Sequence, residues 1–240
     1  KIDYRYILGI NNNGVSFEYF ENLFKLLNIK NYKIVKKIEK SSGISNGHGK
    51  CLDLILNTMT AKYGVFFDSD VCVLAQDWDQ LMISEIDEKN IIIGSEYHPG
   101  DGKIVDFPNV ITCLFDVEKF KQLNISFVPK LINLIADEKD ANYYGVSVGQ
   151  QVFLDTGCHI AKTIKQAGYN GKVLKLVSPR YEDTLSQLRF MKKDMRGEEY
   201  QLNGQPISTH LGRSSSRSFL NDPIVINWRR RIDEWAGKIS

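Results

Sequence analysis

Two carboxylates separated by one small residue stand at Asp68-Ser69-Asp70, directly after the apolar run Tyr63-Gly64-Val65-Phe66-Phe67. Aspartate oxygens are hard donors, and a pair this close suits Mg²⁺ or Mn²⁺, ions that also bind substrate phosphates. An ion held there would act as Lewis acid and template, neutralising charge on a departing pyrophosphate. Two acids in a solvated turn give the same letters, so the surroundings decide. About twenty residues upstream, Ser45-Asn46-Gly47-His48-Gly49-Lys50 reads as a glycine-bracketed loop that opens a helix. Its glycines let a ligand approach the backbone, a helix N-terminus favours an anion, and Lys50 adds positive charge near a phosphate. An ordinary turn with an N-cap is the alternative.

The elements that must position these residues alternate as in a βαβ protein. Residues 4–10 (YRYILGI) read as a buried strand ended by the turn-prone Asn11-Asn12-Asn13-Gly14. Phe17, Phe20, Phe24 and Leu27 recur at helical spacing, and residues 32–38 form a second strand. After the Ser- and Gly-rich stretch 41–49, a helix carries Leu52, Ile55, Leu56 and Met59 on one face. The strand 63–67 then delivers the acidic triplet at its carboxyl end, where open α/β sheets place ligands. Further on, 77–86 reads as a helix with Asp77 as N-cap, and 91–95 and 110–115 as strands. Residues 96–109 make a long loop through Pro99-Gly100-Asp101-Gly102. A helix is expected over 155–167, closed by Gly168, and a strand over 173–177. The stretch 181–218 looks polar and irregular, and Asp222-Pro223 opens a last helix carrying Ile224, Trp228, Ile232 and Trp235.

Taken together, Gly47-His48-Gly49-Lys50-Cys51-Leu52-Asp53 followed by Lys62-Tyr63-Gly64-Val65-Phe66-Phe67-Asp68-Ser69-Asp70-Val71 resembles the GT-A glycosyltransferases, family-two-like members in particular. The resemblance spans roughly residues 4–175 and is strongest over 43–74. It implies an α/β fold of GT-A (Rossmann-like) type, with a mixed, mainly parallel sheet flanked by helices. The implied ligands are a nucleoside-diphosphate sugar donor, Mn²⁺ or Mg²⁺, and a glycan or other hydroxyl acceptor. Asp70 would ligate the metal directly, and Asp68 would bind the ribose, or the metal through water. Asn11 and Asn13 would lie against the nucleobase, with Gly47, His48 and Lys50 also on the donor side. Two features depart from the family: no proline ends the first strand, and no Glu-Asp pair stands where inverting members keep their base. In the place of that pair is Phe153-Leu154-Asp155-Thr156-Gly157, which puts Asp155 85 residues beyond Asp70. Its carboxylate suits a general base for the acceptor hydroxyl in a direct, inverting displacement; capping the following helix is the structural alternative. A C-terminal histidine completes the metal shell in several GT-A enzymes, and His210, in Ser208-Thr209-His210-Leu211-Gly212-Arg213, is the candidate here. Arg213 and the segment to Arg217 would close over the diphosphate.

Composition fits one domain, 1–240, since 42% hydrophobic residues in 240 suffice for a sizeable core. Within it, 4–115 would bind the nucleotide sugar, 116–220 would serve the acceptor and catalysis with a mobile segment at 208–218, and 222–239 would be a C-terminal helix. A net charge of +2 gives no reason to expect nucleic acid. Scattered Cys51, Cys72, Cys113 and Cys158 read as reduced thiols of a cytoplasmic enzyme. No signal peptide is read at the start, which is Lys1 and not Met. Arg229-Arg230-Arg231 with Trp228 and Trp235 suits peripheral contact with an anionic membrane, or a helix packed on its own domain. Glu96, Tyr97, His98 and Asp106 fit an acceptor loop or a polar turn, and Glu182-Asp183 a solvated one. Three other readings compete. A haloacid-dehalogenase-like phosphohydrolase would use Asp68 as nucleophile, though Cys72 replaces its Thr or Val. A non-catalytic nucleotide- or carbohydrate-binding module would explain the missing Glu-Asp pair. A nucleotide-sugar pyrophosphorylase lacks its N-terminal G-x-G-x-R-like loop.

Overall fold

The computed structural model describes residues 5–11, 17–26, 28, 31–37, 44–97, 103–104, 109–129, 133–144, 146–212 and 222–239. The first unit is a parallel pair, β1 (Tyr6–Asn11) on β2 (Tyr32–Lys37), joined through α1 (Phe17–Leu26). Phe24 of α1 is buried against Tyr32, with ring centroids 4.6 Å apart, which ties helix to strand. These elements fall where hydrophobic periodicity puts them.

The main sheet has seven strands. They are β3 (Tyr63–Phe67), β4 (Val71–Val73), β5 (Asn90–Ser95), β7 (Asn109–Asp116), β10 (Asn170–Val177), β11 (Glu198–Leu202) and β12 (Gln205–His210). Their order is β3-β7-β5-β10-β11-β12-β4. A small third sheet pairs β6 (Lys103–Ile104), β9 (Gln151–Leu154) and β8 (Asn133–Ile135). The chain is thus mixed α/β, but the main sheet corrects the mainly parallel expectation. Among the described pairs of that sheet, only β5 and β10 run parallel; β3–β7, β7–β5, β10–β11, β11–β12 and β12–β4 are antiparallel. Two local causes account for this. β7 returns between β3 and β5, and β11 turns directly into β12 through Asn203-Gly204, both at positive φ (52° and 80°). An Asn-Gly pair in that conformation matches the twist of a tight hairpin. The polar, irregular expectation for 181–218 is overturned accordingly: it contains a 3-10 helix (Glu182–Gln187) and this hairpin.

Helices cover both faces. α2 (Ile44–Thr58), α4 (Val117–Gln122) and α6 (Ile160–Gln166) pack over one, around Leu52, Ile55, Leu56, Met59, Phe115, Phe120 and Ile164. α3 (Trp78–Ser84) packs over the other, with Met82, Ile93, Leu114 and Leu174. The pleat explains the split: Ile92 pairs with Phe115 and points to the first core, while Ile93 pairs with Leu114 and points to the second. Asp77 occupies the N-cap position of α3 without a side-chain capping bond. α5 (Glu138–Tyr144) flanks the small sheet, and Gly168 closes α6 at φ 83° as expected. α7 (Pro223–Ile239) starts at Pro223 and packs its tryptophans on its own domain. Trp228 Nε1 donates to Thr209 Oγ1 at 3.0 Å and Trp235 Nε1 to the Leu74 carbonyl at 3.0 Å. Among the described residues, no helix is long and apolar enough to cross a membrane.

The stretch Ser45 to Lys50 forms the first turns of α2 and not a loop. Glycine at 49 is explained by packing: a Cβ there would sit 2.6 Å from the Phe127 carbonyl oxygen. Asp53, one turn on, accepts from Phe127 N and Ser126 Oγ, each at 2.7 Å, and so holds α2 at that close approach. Gly→Ala inside a helix normally gains about 0.8–1.0 kcal/mol, whereas forcing atoms into a packed contact costs about 1–3 kcal/mol. Because the opposing group is backbone, Gly49→Ala is expected to lose about 1–2 kcal/mol net. Gly237→Ala in α7, where a Cβ meets nothing within 4 Å, is expected to be neutral or stabilising. Paired urea melts check the contrast.

Candidate active site

The acidic turn is fixed at both ends. Asp68 N–H donates to the Ile111 carbonyl of β7 at 2.9 Å, and Val71 N–H closes the turn on the Asp68 carbonyl at 3.1 Å. Past it, β4 pairs with β12 in a register that sets His210 opposite Val71, and Leu211 N–H donates to the Asp70 carbonyl at 3.1 Å. This pairing carries a residue 140 positions away to the triplet. One ligand atom from each of Asp68, Asp70 and His210 lies within 4.8 Å of the others, so the three can hold a metal ion. Two carboxylates and an imidazole are a donor set that Mn²⁺ accepts well, and Mg²⁺ through the carboxylates.

Charge within the group is unbalanced toward the acids. His210 Nε2 is 3.3 Å from Asp70 Oδ1, and Nδ1 is 3.0 Å from Glu198 Oε2. Burial alone would disfavour the imidazolium, but the hydrogen bonds and charges of Asp70 and Glu198 prevail and push His210 up to about 10. Burial raises Asp68, and the nearby Asp70 and Asp155 raise it further, against His48 and His210, which lower it. A site that gathers Asp68, Asp70 and Asp155 in partly buried surroundings is suited to a cation.

Asp68 and His210 line a cleft of about 270 Å³ together with Asp155, His48, Arg180 and Arg196. His48 projects from α2 to bring Nε2 3.7 Å from Asp68 Oδ1 and Nδ1 3.5 Å from Thr156 Oγ1. Asp155 follows the end of β9, and its Oδ1 accepts from Thr156 N–H at 2.8 Å. The capping alternative for Asp155 is therefore corrected: residues 156–159 are turns, α6 begins at Ile160, and His159 occupies its N-cap position. Glu96 and Tyr97 also line the cleft, while Glu182 and Asp183 are exposed.

The remaining sequence-identified residues are distributed as follows among the described elements. Gly47 is buried within α2 and Lys50 is exposed on it. Asn11 ends β1. Asn13, His98, Asp106 and Arg213 lie outside the described residues. Of the expected mobile segment 208–218, Ser208 to His210 belong to β12, with Ser208 and Thr209 fully buried; residues 213–218 lie outside the described residues.

Sequence reasoning missed Glu198, Tyr200, Arg180 and Arg196. Strand alternation puts Glu198 and Tyr200 on one face, toward the cleft, and sends Glu199 to the other. There the buried Glu199 carboxylate accepts from the N–H groups of Arg189, Phe190 and Met191 at 3.2, 2.8 and 2.9 Å, fixing the loop beneath α7. The signal that would have found Glu198 is Asn203-Gly204, since the hairpin it makes pairs Glu198 with His210.

No family model matches the chain, and no curated protein matches it significantly. Among solved structures it is similar to a mannosyltransferase from Pyrobaculum calidifontis, in complex with GDP-mannose and Mn²⁺, at 12% identity and a TM-score of 0.45. The similarity covers 67% of this chain and 43% of the mannosyltransferase, so the chain spans less than half of that enzyme's length.

Proposed function

We propose that this chain is a metal-dependent glycosyltransferase that moves a sugar from a nucleoside-diphosphate sugar to an acceptor hydroxyl by direct, inverting displacement. The observation that carries this reading is the Asp68-Asp70-His210 group, of which Asp68 and His210 line the same cleft as Asp155. Asp70 and His210 would hold Mn²⁺ or Mg²⁺ directly, with Asp68 as the third ligand. The bound ion supplies charge neutralisation to the leaving diphosphate. Arg180 and Arg196, on the cleft wall, offer planar donors that suit phosphate oxygens. His48, beside Asp68, lies on the donor side. Asp155 would accept the proton of the attacking hydroxyl, its orientation set by the Thr156 N–H bond. Gly47, Lys50, Asn11, Asn13 and Arg213 remain proposed donor contacts from the family resemblance.

A panel of nucleotide sugars, read by thermal shift with and without Mn²⁺, tests this. A donor present at 100 times its dissociation constant stabilises the native state by about 2.7 kcal/mol, or roughly 5–10 °C for a domain of this size. At least one nucleotide sugar should give that shift with Mn²⁺ and little without it. A flat panel in both conditions would overturn the proposal.

A further inference from the structure

The cleft lining also holds a buried carboxylate outside the metal group, that of Glu198. Glu198 is 8% exposed and lies beside His210 on the paired strand. Its Oε2 accepts from His210 Nδ1 at 3.0 Å and from the Tyr200 hydroxyl at 2.7 Å, while Oε1 pairs with Arg180 Nη2. Both carboxylate oxygens are thus held by donors, and the side chain has one orientation available. Its backbone is held as well, because Thr209 Oγ1 donates to the Glu198 carbonyl at 2.8 Å and itself receives the Trp228 N–H from α7.

We infer that Glu198 is the positioning residue of the metal centre: it keeps the proton of the His210 ring on Nδ1 and so presents Nε2 to the ion. This rests on the metal-site reading above. An imidazole has two nitrogens and ligates through one, and the hydrogen bond at the other selects which. Here Nδ1 faces Glu198, and Nε2 faces Asp70, the proposed metal ligand, so the bond at Nδ1 leaves Nε2 on the side where the ion would bind. Tyr200 and Arg180 keep the acceptor oxygen in place. Arg180 also lines the cleft, so the chain of contacts runs from the metal ligand to the wall where substrate would lie. A glutamine at 198 keeps the shape but has one acceptor oxygen, so its amide N–H₂ must face either Arg180 or the His210–Tyr200 pair. The first arrangement loses the Arg180 pairing that holds the acceptor oxygen in place, and the second leaves the His210 ring without its acceptor.

Two measurements test the role. Titration with Mn²⁺ alone, followed by loss of the free-ion electron paramagnetic resonance signal, should show Glu198→Gln binding 10–100-fold more weakly than wild type. Tyr200→Phe, which removes one support and keeps the carboxylate, should weaken binding by a smaller factor, and it decides the matter if Glu198→Gln does not fold. In ¹⁵N-histidine spectra of metal-free protein, a hydrogen-bonded His210 Nδ1–H should be present in wild type and lost in Glu198→Ala. Equal Mn²⁺ affinity in wild type, Glu198→Gln and Tyr200→Phe, with Asp70→Ala unable to bind, would overturn the positioning role and leave the metal site standing. A wild type that binds no Mn²⁺ would overturn both.

Discussion

Asp155→Asn is expected to bind donor and Mn²⁺ much as wild type does, yet lose sugar transfer by about two to four orders of magnitude, the contribution of a positioned general base. The substitution is close to isosteric, and the amide oxygen can still accept the Thr156 N–H bond that the carboxylate makes at 2.8 Å. The turn from β9 to α6 should survive, since backbone bonds also hold it: Cys158 N–H to the Asp155 carbonyl at 3.1 Å and Gly157 N–H to the Phe127 carbonyl at 2.9 Å. What the variant removes is the proton acceptor. Donor affinity by calorimetry and transfer in a single turnover separate the two effects. Transfer within a few-fold of wild type would reduce Asp155 to a turn residue.

That test is cleaner than the sequence alone allowed. From the letters, Asp155 served equally well as a base or as the cap of a helix beginning at 156. The chain instead spends four residues on turns before α6, so no capping role confounds the substitution. The reason is local: Gly157 sits at φ 82°, a left-handed conformation that ends strand geometry without starting a helix.

Local patterns were legible and long-range ones were not. Leu52, Ile55, Leu56 and Met59 announce the buried face of α2, and all four are in the core. The apolar strand leading to Asp68 and the Asp222-Pro223 helix start also appear as the letters indicate. Strand direction is not written in any one strand, which is why the main sheet was misjudged. Hydrophobic runs such as Ile91-Ile92-Ile93 suit a strand buried on both faces, whichever way its neighbours run. The glycines of α2 misled for a related reason. Glycine marks either a loop or a close approach, and the partner of that approach, Phe127, is 78 residues from Gly49. His210 could be nominated from its chemistry, but Glu198 could not, because its role exists only through the pairing of β11 with β12.

On the proposed function, Asp70 carries a metal-dependent nucleotide site. Its carboxylate adjoins His210 Nε2 at 3.3 Å, and its carbonyl receives Leu211 N–H, so the side chain serves the ligand group while the backbone serves the β4–β12 junction. Asp70→Ala should therefore delete the ligand and spare the fold. The direct measurement is calorimetric titration of a nucleoside diphosphate into wild type and Asp70→Ala, each with and without Mn²⁺, with circular dichroism to verify folding. Wild type should bind with Mn²⁺ and much more weakly without it, and Asp70→Ala should be weak in both conditions while its spectrum is unchanged. Binding by folded Asp70→Ala that responds to Mn²⁺ as strongly as wild type does would contradict the account.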